Sequence, residues 1–312
     1  MAESVIQQKI ASSPQNSSIK NIISSLVWKI VIATLLLMAV GSATRVMNAG
    51  LACPDWPLCY GQLIPSQQMN FQVFLEWFHR LDAGLIGLST LALVAMSWWY
   101  RRELPPWLPW SALFALSLIV FQAVLGGLTV TEMLRFDIVT AHLGTALLFF
   151  STLIVMGASL TPYQSTSAVG KLPWLALSAT LLIYLQSLLG GLVGSRWALH
   201  QCFGTSQLCA VMNSHIIGVF PATITTLAVV IISWRSPGLN PLLRQLANWA
   251  GFLVFLQIIL GVATFKLHLQ VEPLTVSHQA IGAALLGTLV AFTVFSLRDR
   301  PLAQTIVPAT KN

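Results

Sequence analysis

With 56% hydrophobic and only 8% charged residues among 312, the chain is far from a soluble domain, in which about a quarter of residues carry charge. Composition therefore excludes an ordinary soluble globular protein and points to the lipid bilayer. The 16 Lys+Arg against 9 Asp+Glu give a net charge of +7. In a membrane protein this excess reads as topology rather than nucleic-acid binding, because basic residues gather in the loops that stay in the cytoplasm.

Crossing the hydrocarbon takes roughly 20 apolar residues. Eight stretches qualify, at about 27–44, 80–99, 109–130, 140–160, 173–194, 214–234, 247–265 and 277–297. Breakers such as Leu104-Pro105-Pro106 and Ser236-Pro237-Gly238 separate them. The first stretch is longer than a signal-peptide core and is followed by seven more. Residues 1–25 are polar and read as a disordered cytoplasmic tail, and residues 301–312 read as a cytoplasmic tail. The first tail lacks the Arg-rich amphipathic character of a mitochondrial transit peptide, which favours a bacterial protein. The expected fold is an all-α integral membrane protein with eight transmembrane helices.

Loop charge sets the orientation. With the N-terminus inside, Lys9, Lys20, Lys29, Arg101, Arg102, Lys171, Arg235, Arg244, Arg298, Arg300 and Lys311 are cytoplasmic. Only Arg45, Arg80, Arg135, Arg196 and Lys266 lie outside, a split of eleven to five. Both termini are then cytoplasmic, in the cell (inner) membrane. Cys53 and Cys59 fall in the first outer loop, and Cys202 and Cys209 in the third, on the oxidising side where disulfides persist. By position alone they read as structural staples, one per loop.

The sequence repeats itself. Gln122-x-x-Leu125-Gly126-Gly127-Leu128-Thr129 in span three recurs as Gln186-x-x-Leu189-Gly190-Gly191-Leu192-Val193 in span five and Gln257-x-x-Leu260-Gly261-Val262-Ala263-Thr264 in span seven. Span one keeps a worn copy, Val40-Gly41-Ser42-Ala43-Thr44-Arg45. These positions share one helix face. The glycines read as close helix packing, and a glutamine inside lipid needs a partner. The step from His79 to His142 equals the step from His215 to His278. One offset therefore carries both first-half histidines onto their second-half counterparts, and it carries Gln122 to within one position of Gln257. Two four-helix bundles are expected, residues 26–165 and 166–300, related by an axis along the membrane normal, because four spans per half is an even number. All four histidines open even-numbered spans near the outer face.

Four ionisable residues at one depth in a membrane are functional by default. Zinc usually takes a third protein ligand, and these spans offer only Glu76 and Asp82 nearby. Haem needs one or two axial imidazoles and an apolar slot, so His79/His142 and His215/His278 read as two haem sites. The anionic propionates suit Arg45, Arg80, Arg135, Arg196 and Lys266. The halves differ: the stretch from Arg45 to His79 is much longer than that from Arg196 to His215, and Glu76, one turn before His79, is matched by Met212. Glu76 is either a first-turn glutamate favoured by the helix dipole or a carboxylate that exchanges a proton at a haem periphery. His200 and His268 lack counterparts and read as surface residues.

Gly41-Ser42-Ala43-Thr44-Arg45 through Ala49-Gly50-Leu51-Ala52-Cys53-Pro54-Asp55-Trp56-Pro57-Leu58-Cys59-Tyr60-Gly61 resembles the signature of the heme A synthase family of the bacterial type, and Glu76-Trp77-Phe78-His79-Arg80 resembles its E-x-x-H-R motif. The likeness runs from span one to span eight, with small departures such as Met47-Asn48. It implies an enzyme that oxidises a methyl group of haem O to a formyl group, giving haem A for terminal oxidases. It further implies a resident haem b on His215 and His278, and the haem O substrate on His79 and His142. Glu76 matches the family's essential acid, Cys53–Cys59 its redox-active pair, and Cys202–Cys209 a second pair that some members keep. Haem O synthase and the terminal oxidase are the implied partners; no residue names the electron acceptor. The alternatives are a di-haem b-type electron-transfer cytochrome, a membrane thiol-disulfide oxidoreductase, and a haem transporter that leaves the porphyrin unmodified.

Overall fold

The breakers between apolar stretches become helix boundaries. Asn70 caps one helix by accepting the Val73 amide proton, and Asn240 caps another through Leu242, followed at once by Pro241. In the computed structural model, which describes residues 14–195 and 207–299, the helices are α1 (Pro14–Val46), α2 (Phe71–Trp99), α3 (Trp107–Thr131), α4 (Phe136–Leu160), α5 (Leu172–Gly194), α6 (Gln207–Arg235), α7 (Pro241–Lys266) and α8 (Glu272–Arg298). All eight are long and apolar enough to cross a membrane, as expected.

Several helix starts differ from the hydropathy reading. Helix α1 begins at Pro14, so residues 14–25 are helical rather than disordered tail. The reason is a buried stripe of Ile19, Ile23, Val27 and Ile30, spaced at i, i+4, i+8 and i+11, which continues the packed face below the apolar stretch. The even-numbered helices also start early: α2 at Phe71, α4 at Phe136, α6 at Gln207 and α8 at Glu272. The histidines therefore lie about two turns inside their helices.

Helices α1, α2, α3 and α4 pack in a closed ring, and α5, α6, α7 and α8 form a second. The rings meet through α1 with α8, α4 with α5, and α4 with α8. Exchanging α1 with α5 and α4 with α8 reproduces that contact set, which is the twofold pseudo-symmetry the repeat predicts. Helix α8 is the centre: 67% of its apolar window is buried, against 22–39% for the others. Close approach is possible because Gly287 faces Phe150 and Ile154 of α4 with no side chain between.

The duplication persists in the turns. Leu134 donates its amide to the Thr129 carbonyl (2.8 Å), and Leu269 donates to Thr264 (3.0 Å). Met133 and Leu134 have φ of 52° and 59°, and His268 and Leu269 have 51° and 60°. The same bond joins Ala49 to Thr44 at the end of α1. The threonine of the repeat thus marks a helix end closed by a six-to-one bond with left-handed residues. His268 matches Met133 in this turn, so its place is conformational.

At the end of the bundle away from the histidines, Asp299 is fully buried. It accepts from Tyr163 Oη (3.1 Å), the Thr166 amide (2.6 Å) and Thr166 Oγ1 (3.1 Å). Arg298 donates to the Ala158 carbonyl and, at 2.9 Å, to Thr161. This clasp fastens α8 to the linker joining the two halves. Asp299→Ala removes a buried charged acceptor and the three hydrogen bonds it takes from the linker, so it should lower stability by about 2–3 kcal/mol, read as an earlier thermal unfolding transition in detergent, whereas Ser236→Ala in the turn after α6 should leave the transition in place.

Candidate functional site

Each of the four helix histidines lies against a glycine of the repeat. A Cβ added at Gly41 would stand 2.8 Å from Cε1 of His79; at Gly126, 3.3 Å from Cε1 of His142; at Gly190, 3.0 Å from Cε1 of His215; at Gly261, 3.0 Å from Cε1 of His278. One relation therefore occurs four times: an odd helix supplies a glycine, and the following even helix lays an imidazole on it. The residue one turn before each glycine (Leu37, Gln122, Gln186 or Gln257) lies beside the same ring. The glycines, read from the sequence as helix-packing residues, are cradles for the rings.

The repeat's glutamine finds its partner here too. Gln122 Nε2 donates to the His142 carbonyl (2.9 Å), and Gln186 Nε2 to the His215 carbonyl (2.5 Å). Gln186 Nε2 is also 3.0 Å from His215 Nδ1, and Gln257 Nε2 is 3.4 Å from His278 Nε2. Span one has Leu37 at this position, so His79 alone lacks a glutamine clamp. His142 is within electrostatic reach of His79, and His278 of His215.

These pairs suit an iron porphyrin. The polar group beside the His79, His142 and His278 rings is the backbone of Leu37, Gln122 and Gln257, in contacts too loose to satisfy the buried Nδ1 fully, and an under-satisfied buried ring suits a ligand that completes the site. Among the described residues no three or more His, Cys, Asp or Glu side chains gather as a metal cluster. Each histidine pair offers two imidazoles, a ligand set that porphyrin iron accepts.

The first half carries additional machinery. Cys53 and Cys59 are joined by a disulfide and are 0% and 2% exposed, packing with Val73 of α2. Glu76, 4% exposed, accepts the Cys53 amide proton through Oε2 (2.9 Å) and pairs with Arg80 through Oε1 (2.5 Å). Arg80 also donates to the carbonyls of Asp55 (2.6 Å) and Leu58 (2.5 Å). Asp55 closes the loop by accepting from the amides of Tyr60 and Gly61, and these bonds, Gly61 first, hold its carboxyl below the usual range. The loop thereby sets Trp56 over Gly127, where a Cβ would stand 3.2 Å from the indole. The counterpart of Gly127 in the second half is Val262, so no glycine is there for an indole to lie on.

The chain's residues 24–290 match a family model described as cytochrome oxidase assembly protein. The chain belongs to this family. Curated relatives include the heme A synthase of Shewanella oneidensis, 29% identical over 84% of this chain and 93% of that protein. That of Caulobacter vibrioides is 26% identical over 85% and 94%, and that of Bacillus licheniformis 23% identical over 88% and 95%.

Within this cytochrome oxidase assembly fold, the structure brings together His79 with His142, His215 with His278, and Glu76 with the Cys53–Cys59 loop. Cys202, Arg196 and His200, and the side chain of Cys209, lie outside the described residues, and the Cys202–Cys209 pairing with them. Sequence reading missed the cradling glycines and Trp56. The signal for the glycines was present: glycine alone holds the position four after Gln122, Gln186, Gln257 and Leu37. Gly190→Ala and Gly261→Ala should each weaken haem retention about 10- to 100-fold by pushing the imidazole aside, measured as Soret absorbance per protein. Gly84→Ala and Gly87→Ala, where an added Cβ meets nothing within 4 Å, should retain full haem content.

Proposed function

We propose that this chain is a heme A synthase: it takes haem O as substrate and oxidises one porphyrin methyl group to a formyl group by successive hydroxylations, supplying haem A to terminal oxidases. The observation that carries this reading is two imidazole pairs built on one scaffold, only one of which carries the Glu76–Arg80–Cys53 loop. A cytochrome that merely passes electrons has no need of that asymmetry.

In this reading residues 26–165 form the substrate half and residues 166–300 the resident-haem half. His215 and His278, with Gln186 and Gln257 against them, hold a resident haem b, which when bound supplies one-electron acceptance. His79 and His142 hold the substrate iron. Without a glutamine clamp, His79 is freer to release product. Trp56 covers the cradle beside His142 and keeps water from the reacting edge. Glu76 stands one turn before His79; each of its oxygens keeps a lone pair beyond the bonds from Cys53 and Arg80, so it can take a proton as the methyl group is oxidised. Cys53–Cys59 matches the family's redox pair; being buried, it acts first by shaping the loop, and thiol exchange with a partner would need that loop to open. Loop charge supports an outer-face position for this end of the bundle in the cell membrane, and the proposed reaction implies haem O synthase upstream and the terminal oxidase downstream as partners.

Expression with a source of haem O, followed by chromatography of extracted haems, tests the assignment: haem A should accumulate, and recovery of only haem B and haem O would replace the synthase with an electron-transfer or transport protein. Glu76→Gln should keep the haem spectrum while lowering haem A formation about 10²- to 10⁴-fold.

A further inference from the structure

Of the five basic residues that loop charge assigns to the histidine end, two are already committed. Arg80 is bound to Glu76 and to the loop carbonyls of Asp55 and Leu58. Arg135 pairs with Glu132 (3.3 Å) and Asp137 (2.8 Å) on the surface. Lys266 is exposed at the end of α7, and Arg196 lies outside the described residues.

Arg45 is unlike these. It belongs to α1 in the first half, yet its side chain reaches into the second. Nη2 donates to Oε1 of Gln279 (3.0 Å), the residue after His278. The same oxygen accepts from Ser42 Oγ (3.0 Å). A Cβ on Gly194 would stand 2.7 Å from Arg45 Nη1. Gly194 is one turn beyond Gly190, the cradle of His215, so the guanidinium lies roughly 6 Å along α5 from that imidazole's seat and beside the residue following His278. No carboxylate lies within 4 Å of it among the described residues.

A guanidinium in a partly buried membrane seam, facing one neutral amide oxygen that already accepts a second bond, has lost hydration without gaining a counter-charge. Its planar fork matches a carboxylate with two parallel bonds. We propose that Arg45 is the propionate anchor of the His215/His278 site, contributed across the seam by the opposite half. This rests on the reading that His215 and His278 hold haem. Seating the porphyrin then fastens α1 to α5 and α8, so the resident haem ties the substrate half to the haem half.

The test isolates one site in a His79→Ala/His142→Ala background and titrates purified apoprotein in phosphatidylcholine nanodiscs, following the Soret band, with iron protoporphyrin IX or its dimethyl ester. The parent should bind the free acid about 10- to 100-fold tighter than the ester, as expected for a lost charge-assisted bond. Arg45→Gln should bind both alike, at the parent's affinity for the ester. If Arg45→Gln does not fold, Gly194→Ala keeps the charge while crowding the guanidinium, and should narrow the discrimination severalfold. Unchanged discrimination in either variant overturns the proposal. So does a parent that binds acid and ester equally, or one whose discrimination disappears in phosphatidylglycerol nanodiscs, which gives Arg45 to a lipid phosphate. Failure of the parent to bind either porphyrin would instead remove the haem reading itself.

Discussion

The molecule depends on seating an imidazole inside a membrane helix. A histidine in hydrocarbon needs a polar neighbour and room for a flat ring, and ordinary side chains on the facing helix deny it both. Here a glycine one turn after a glutamine solves the two problems together. The missing Cβ admits the ring, and in three of the four cases the glutamine amide lies against the histidine's backbone or ring. The motif reads as packing because small residues usually mean packing in membranes; its more specific work is to fix four imidazoles at one depth.

Repeating that unit four times makes two rings of four helices, and the twofold relation then decides where they can differ. The seam is built from α1, α4, α5 and α8, so its residues serve both halves. Arg45 and Gln279 show this: they come from opposite halves and meet beside one site. Away from the seam, the first half has a longer outer loop, Glu76 and Trp56. The second kept a glutamine on each of its cradle helices. Duplication supplied two equivalent seats, and the proposed function takes the divergence between them as the difference between holding and reacting.

Much of this was legible in the chain. Hydropathy gave the eight helices, because each must be apolar for about the thickness of the bilayer. The identical histidine spacing in the two halves pointed to equivalent seats, and each ring does lie on the equivalent glycine of the repeat. The E-x-x-H-R stretch placed Glu76, His79 and Arg80 on one face, and helix α2 does begin before them. Helix starts were less legible: α2 starts early where Val73 packs on the Cys53–Cys59 loop, and α1 where its buried stripe runs on below the apolar stretch. Nor could linear order reveal that Arg45 turns toward Gln279, that Arg80 is taken up by the loop, or that Trp56 lies on Gly127. These depend on which segments become neighbours, and that is decided by packing between parts of the chain far apart in sequence, α1 against α8 above all.

Iron-edge anomalous diffraction from crystals of the haem-loaded protein addresses the imidazole seats directly. An iron peak between His215 and His278, and a second between His79 and His142 at the same depth once substrate is present, is the predicted outcome. Iron located away from these pairs, or held by only one ring of the second half, would contradict the account.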